Sequence, residues 1–131
     1  DRRVGLMVAL REIMTPDVRT VTPDTSVAEA AGAMVRGRFG SVLVATGSTL
    51  VGILTERDVL RTAADGGDTS TETVRNWMTP DPVTASPDDD TELAEQTMLS
   101  RGFRHLPIVE EGATVGIVSL RDLLGARIRR H

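Results

Sequence analysis

The sequence predicts a mixed α/β (α+β) fold made of two copies of one β-α-β-β-α unit. The first observation behind this prediction is a repeat without gaps. Residues 14–17 (Met-Thr-Pro-Asp) recur 64 positions later, at 78–81. The second is that Val-Gly-Ile at 51–53 recurs at 115–117. The third is that each copy alternates short apolar runs with helical periodicity. A unit of this length buries its apolar face against a neighbour, and two units about a pseudo-twofold axis leave a cleft suited to a ligand.

The first copy contains the five elements in order. Ser26 and Glu29 are spaced as a capping box before a helix whose apolar face includes Met34, and Gly37 and Gly40 are expected to end that helix. The predicted segments are a strand at 18–22, a helix from 26, strands at 41–45 and 50–54, and a helix at 55–64.

The second copy has the same order. Its predicted segments are a strand at 83–86, a helix opened by Asp90, strands at 106–109 and 115–118, and a helix opened by Ser119. The resulting domain boundaries are a leader at 1–11, the first repeat at 12–64, a small polar linker or loop tip at 65–75, and the second repeat at 76–131.

Composition excludes several classes of protein. The net charge of −4 argues against a nucleic-acid-binding protein, which usually carries a basic face. No apolar run approaches the roughly 20 residues that cross a bilayer, so no membrane association is expected. With no Cys there is no disulfide, thiolate nucleophile or Cys-based zinc site, which fits a cytoplasmic protein, and two His are too few for a His-based metal site.

The sharpest local motif is a hydroxyl residue followed three positions later by a carboxylate at a helix start. It occurs as Thr55 with Asp58 and again as Ser119 with Asp122. The pattern is that of a helix cap and needs no ligand to explain it. The same geometry also suits a nucleoside phosphate, since a helix N-terminus attracts phosphate and an acidic side chain can accept hydrogen bonds from ribose hydroxyls. One residue can serve both purposes, and the motif alone does not separate them.

The order and duplication of these motifs resemble a pair of CBS domains (the cystathionine β-synthase type, or Bateman module). The resemblance covers about residues 12–128. It implies two units packed through their sheets, with two symmetry-related clefts that take adenosine compounds.

The resemblance also implies roles for particular residues. Asp58 and Asp122 would hold ribose hydroxyls, and Thr55 and Ser119 would lie beside the phosphate. The strand backbone beside the base would come from the remaining four positions: Thr20, Val21, Val83 and Thr84.

The two clefts are not expected to be equal. The second repeat has Arg104, His105 and Pro107 before and within its central strand, which resembles a family stretch that directs basic groups toward phosphate. The first repeat has Gly40 and Ser41 at the matching positions. Arg can hold phosphate with two hydrogen bonds at any relevant pH, whereas His adds charge mainly below about pH 6.5. One competent site and one weaker or vacant site are therefore predicted.

The function predicted from the sequence is a non-catalytic regulatory module that binds AMP, ADP or ATP and signals by a conformational shift. No nucleophile, base or metal cluster is arranged for catalysis, and no resident cofactor is expected. A homodimer is expected by analogy with the family. Two alternatives remain open at this level: a structural dimerisation module with empty clefts, and a sensor of S-adenosylmethionine or an NAD-type ligand.

Overall fold

The structure, a computed structural model, describes residues 8–130, with side chains described up to residue 126. It divides into two compact units. The first-repeat unit is Val18–Pro82, and the second-repeat unit joins residues 8–17 to residues 83–130. Residues 1–7 of the predicted leader lie outside the described residues.

The first-repeat unit contains the predicted β-α-β-β-α order and one additional short strand. Its elements are β1 (Thr20–Val21), α1 (Val27–Gly37), β2 (Ser41–Thr46), β3 (Thr49–Thr55), α2 (Glu56–Ala64), a 3-10 turn (Val74–Asn76) and β4 (Thr79–Pro80). The strands form one sheet in the order β1-β2-β3-β4, in which β1 runs parallel to β2 and the other neighbours are antiparallel.

The second-repeat unit repeats this plan with shorter sheet edges. Its elements are a 3-10 turn (Leu10–Glu12), α3 (Thr91–Arg101), β5 (His105–Glu110), β6 (Ala113–Ser119) and α4 (Leu120–Arg130). The antiparallel pair β5-β6 is flanked by single bridges, Ala85 to Ile108 and Thr15 to Ile117. Both central hairpins shift register at the same point of the repeat, at Val44/Ala45 and at Ile108/Val109.

The strand predicted at residues 83–86 is reduced to the single bridge at Ala85, and Pro107 supplies the reason. In the first-repeat unit the N–H of Leu43 donates to the carbonyl of Arg19 at 2.8 Å, which extends the β1 ladder. Pro107 occupies the matching position of β5 and has no N–H to donate. The Pro107 carbonyl still accepts from Ala85 at 3.0 Å, so one bridge survives without a continuous strand.

Each unit is completed by a chain segment that precedes the other repeat in sequence. Residues 8–17 precede the first repeat but belong to the second-repeat unit, where Val8 accepts from Thr91 at the start of α3 and Thr15 bridges to Ile117. Glu72, 64 residues after Val8, accepts from Val27 at the start of α1 at 2.9 Å. The two repeats are therefore interleaved along the chain.

The interleaved segments also complete the two apolar cores. The second-repeat core includes Leu10, which is fully buried, and the first-repeat core includes the equally buried Val74. Aliphatic residues and methionine form most of both clusters, as the scarcity of aromatic residues requires. The buried members are Leu10, Ala94, Met98, Leu106, Ile108, Val118 and Leu123 in one unit, and Ala30, Met34, Val42, Val44, Leu54 and Val74 in the other.

The helix α1 ends at one of the two predicted glycines, but its C-cap is not a glycine. Gly37 is its last residue, but the left-handed residue that terminates it is Arg38, with φ 59°. The matching C-cap of α3 is Gly102, with φ 80°. The first copy thus places an arginine where the second has the residue best suited to a positive φ.

The polar stretch predicted as a linker or loop tip packs against its own unit. Its Thr69 carbonyl accepts from Ala28 in the first turn of α1 at 2.8 Å. Within it, the Ser70 hydroxyl and N–H both donate to Oδ1 of Asp68, and these hydrogen bonds hold the pKa of that carboxyl below its ordinary value. The stretch therefore serves as a cap for α1.

Candidate functional site

In each unit the start of one hairpin strand, the end of the other and the start of the following helix meet at one end of the sheet. The antiparallel pairing of β2 with β3 puts Ser41, which begins β2, opposite Thr55, which ends β3. In the same way His105 begins β5 opposite Ser119 at the end of β6. The helix α2 starts directly after Thr55 and α4 directly after Ser119, so each helix N-terminus lies at this end of its sheet.

Thr55 and Asp58 form a complete capping box at the start of α2. The N–H of Thr55 donates to Asp58 Oδ2 at 2.9 Å, and the N–H of Asp58 donates to Thr55 Oγ1 at 3.4 Å. The Thr55 hydroxyl donates to the same Oδ2 at 3.1 Å. Capping is therefore a real role of this pair, and any ligand would have to share it.

Ser119 and Asp122 form the equivalent box at the start of α4. The N–H of Ser119 donates to Asp122 Oδ2 at 3.2 Å, and the N–H of Asp122 donates to Ser119 Oγ at 3.0 Å. The predicted capping geometry is thus present in both copies.

The two carboxylates differ in what else they bind. Asp58 is 5% exposed, and its Oδ1 accepts from Arg61 Nη1 at 3.0 Å. Asp122 is partly exposed, and among the described residues its Oδ1 has no hydrogen-bond or ion-pair partner. Position 125, which matches Arg61, is a glycine. Two carboxylates that are equivalent in sequence are therefore unequal in availability.

Arg104 and His105 lie at the end of the sheet where Ser119 ends β6. Arg104 is exposed, and its carbonyl accepts from Leu120, the first residue of α4, at 2.8 Å. His105 is partly buried and pairs with Ser119 across the hairpin. Pro107 is buried two residues further along β5. Because Arg104 immediately precedes β5, its charge is tied to the end of the sheet at which α4 begins.

The first-repeat unit has the same backbone bond at this end of its sheet, with Gly40 and Ser41 in place of Arg104 and His105. The carbonyl of Gly40 accepts from Glu56, the first residue of α2, at 3.0 Å. Ser41 is buried and pairs with Thr55. The two units therefore have the same backbone arrangement here, and they differ, as predicted, in the charge of the residues that precede and begin the strand.

The four residues predicted beside a base lie in the segments that precede each helix. Thr20 and Val21 form β1, opposite Leu43 and Val44. Val83 and Thr84 precede the bridge at Ala85, where Val83 packs against the core and Thr84 is exposed. The 64-residue offset aligns Thr20 with Thr84, so the two pairs are staggered by one residue.

Two other candidate residues, Asp90 and Trp77, have structural roles. Asp90 caps α3, accepting from Glu92 at 3.0 Å, and Trp77 packs on the first-repeat core while its Nε1 donates to Glu72. Within residues 8–130 no group of three or more His, Cys, Asp or Glu is placed to hold a metal ion. Over the same residues, no helix combines the length and apolar character needed to cross a bilayer.

The sequence prediction missed two features of the first-repeat unit. One is the Arg61–Asp58 pair, whose signal was an arginine three residues after an acidic residue on a helix. The other is Arg19, whose guanidinium lies 5.7 Å from the ring centre of Phe39 in a cation–π contact. The second copy cannot make this contact in the same way, since Val83 aligns with Arg19.

Comparison with known proteins identifies the family. The model of the CBS domain matches residues 10–65 and 74–129, so the chain belongs to the CBS-domain family and carries two of its domains. A CBS domain-containing protein of Bacillus subtilis, YhcV, is 39% identical over 118 residues, which are 89% of this chain and 84% of that protein.

Solved structures of CBS-domain proteins share the fold. That of ATU1752 from Agrobacterium tumefaciens is 33% identical, covers 92% of this chain and 99% of its own, and gives a TM-score of 0.85. The CBS domain pair of MJ0100, in complex with 5′-methylthioadenosine and S-adenosyl-L-methionine, gives 0.88 at 21% identity over 95% of this chain and 99% of its own. PAE2072 from Pyrobaculum aerophilum, complexed with AMP, gives 0.81 at 23% identity over 88% and 89%. Adenosine compounds are thus ligands of solved CBS-domain proteins.

Proposed function

We propose that this chain is a non-catalytic regulatory module that binds an adenosine nucleotide, AMP, ADP or ATP, through its second-repeat unit. The observation that carries the proposal is that Asp122, beside the start of α4, has a carboxylate oxygen with no partner among the described residues, and that Arg104 lies at the adjoining strand end. The adenosine ligands of two solved family members support the choice of ligand class.

Each part of a nucleotide has a suitable counterpart at this end of the sheet. Asp122 can accept from ribose hydroxyls through Oδ1 while Oδ2 maintains the cap. Phosphate is favoured by the positive end of the α4 dipole, by the Ser119 hydroxyl and by the guanidinium of Arg104. The backbone of Val83 and Thr84 provides the polar groups that would border the base.

Binding would act by shifting a population of conformations. A nucleotide favours whichever arrangement of the protein it binds more tightly, by no more than the difference in its affinities for the two. Ordering the end of the sheet at Ser119 would stiffen the start of α4 and the end of β6, which meet there. A partner contacting α4 would then sense the ligand.

We also propose that the partner is a second copy of the chain. Each unit exposes an apolar residue on each of its two helices, and these positions are 64 residues apart: Val35 and Leu60 on α1 and α2, Leu99 and Leu124 on α3 and α4. The helices of each pair contact each other. A patch that occurs twice on one chain suits a symmetric dimer, in which the same surface is used on both sides.

The dimer is tested by sedimentation at micromolar concentration. The unmodified chain should sediment as a dimer, and Leu60→Glu combined with Leu124→Glu should give monomers because charge would be buried in the interface. Leu93→Glu is the matched control: Leu93 is 60% exposed, but Glu29 occupies its matching position. A monomeric unmodified chain, or dissociation by Leu93→Glu alone, would contradict this assembly.

A purely structural module is the second candidate, and one observation favours it. The capping boxes at Thr55 and Ser119 satisfy local backbone groups without any ligand. In that case Asp122→Asn would lower the unfolding free energy by about 1 kcal/mol, the usual scale of a helix cap, with no ligand effect to accompany it.

Isothermal titration with AMP, ADP, ATP and S-adenosylmethionine tests the proposed function. Binding of at least one of the three nucleotides is expected, without turnover. Silence across the panel at millimolar ligand would overturn the proposal in favour of the structural module. Binding of S-adenosylmethionine alone would overturn the choice of a nucleotide.

A further inference from the structure

We propose that Arg61 weakens nucleotide binding at the first-repeat unit by engaging Asp58, so that the chain binds one nucleotide tightly, through Asp122; this inference rests on the proposed function. The starting point is that both oxygens of Asp58 are already engaged. Oδ2 accepts from the Thr55 N–H and hydroxyl, and Oδ1 accepts from Arg61 Nη1 at 3.0 Å. The Asp58 side chain is 8% exposed, so a ribose has little open surface to approach.

We call the ion pair between Arg61 and Asp58 the latch, and the second-repeat unit has no equivalent of it among the described residues. Its carboxylate, Asp122, accepts from Ser119 through Oδ2 and has Oδ1 open among the described residues. The residue three positions further along α4 is Gly125, which has no side chain to reach it. The difference between the two copies at this point is therefore the presence or absence of one guanidinium.

The consequence for binding follows from what a ribose requires. To accept from both hydroxyls of a ribose, Asp58 would have to share Oδ1 with Arg61 or give up that charge-assisted hydrogen bond, and such bonds are about twice as strong as neutral ones. Arg61 is itself 61% exposed, so its guanidinium can move into solvent if it is displaced. The latch therefore weakens a first-repeat site without destroying it, by about tenfold if it costs one charged hydrogen bond.

This asymmetry has the same direction as the distribution of basic side chains. Arg104 adjoins the unit whose carboxylate is open, whereas Gly40 occupies the matching position in the unit whose carboxylate is latched. Arg61, which lies near the first-repeat motif, is paired with Asp58 rather than offered to a phosphate.

Exchanging the latch between the copies tests the inference. Titration of the unmodified chain with AMP, ADP and ATP should give one nucleotide per chain. Arg61→Ala should reveal a second site, with affinity at the first-repeat unit raised about tenfold, and adding Asp58→Asn should remove it. Gly125→Arg should weaken the original site by about tenfold because the new guanidinium can pair with Asp122.

Matched variants separate the latch from general effects on the helices. Arg61→Lys keeps a cation near Asp58 and should leave one nucleotide per chain. Gly125→Ala improves helix propensity without adding charge and should leave the affinity unchanged. An NMR spectrum of each variant would show that it remains folded.

The outcomes distinguish the inference from the proposed function. Two equal sites in the unmodified chain, one site abolished by Asp58→Asn, or no second site after Arg61→Ala would each overturn the latch while nucleotide binding stands. No nucleotide binding by any variant would overturn both.

Discussion

At the residue scale, equivalent positions of the two repeats have the same structural role but carry different residues or have different contacts. Arg38 and Gly102 both end a helix in the left-handed conformation, yet only glycine adopts it without steric cost. Asp58 and Asp122 both complete a capping box, yet only one is held by an arginine. The two copies therefore agree more closely in backbone conformation than in side-chain contacts.

Replacing Arg38 tests the cost of the left-handed arginine. Arg38→Gly should raise the unfolding free energy by about 0.5–1 kcal/mol, because strain at φ 59° is removed while the backbone N–H still bonds into α1. Urea denaturation measures the change. In the reverse experiment, Gly102→Ala should destabilise by about 1 kcal/mol. A destabilised Arg38→Gly or a neutral Gly102→Ala would disagree with this account.

The sequence predicted the caps but not the latch, and the reason is physical. A cap joins a side chain to backbone groups three residues away, whose positions any helix start determines, so the spacing of Ser119 and Asp122 was sufficient. Whether Arg61 binds Asp58 depends on the conformation of a long side chain with many rotamers. Nothing in the spacing of residues 58 and 61 decides that conformation.

At the element scale, the interleaving of the two repeats is the feature that local reasoning did not reach. The helices and central strands were predicted because each has its own periodicity. The attachment of residues 8–17 to β6 is non-local, since Thr15 pairs with Ile117, and a local pattern contains no information about such a distant partner. The reduced strand at residues 83–86 has a similar origin, because its pairing is limited by Pro107 in another strand.

A glycine beneath the interleaved segment tests its importance. A Cβ on Gly116 would lie 2.7 Å from Met14 Sδ and 3.1 Å from the Thr15 carbonyl oxygen. The methionine can move but the backbone oxygen cannot move freely, so Gly116→Ala should destabilise the protein by about 1–3 kcal/mol, the usual cost of overpacking. Urea denaturation again provides the measurement.

Gly32→Ala is the matched control for this substitution. Its Cβ would meet only the flexible end of Arg36, and alanine favours a helix over glycine by up to about 1 kcal/mol. It should therefore be neutral or stabilising. Equal effects of Gly32→Ala and Gly116→Ala would show that the residues 8–17 do not hold the second-repeat unit as described.

At the scale of the whole molecule, duplication explains the architecture and divergence explains the proposed function. Each unit repeats the α-β-β-α order, the register shift in its hairpin and the capped final helix, and the first strand of the second copy is reduced to a bridge. The family of the chain was accordingly predictable from the repeat and its motifs. The proposed site depends instead on the few places where the copies differ, namely Arg61 against Gly125 and Gly40 against Arg104.

The central claim, that the second-repeat carboxylate binds the nucleotide, is tested most directly by titrating AMP, ADP and ATP into a matched pair of variants. Asp122→Asn and Asp58→Asn remove the same charge from equivalent capping boxes, and Asp58→Asn also breaks the ion pair with Arg61, so a purely structural effect would be larger for Asp58→Asn. The account predicts that Asp122→Asn weakens binding by tenfold or more, roughly the value of hydrogen bonds to a charged group, while Asp58→Asn leaves it unchanged. Loss of binding with Asp58→Asn and retention with Asp122→Asn would contradict it.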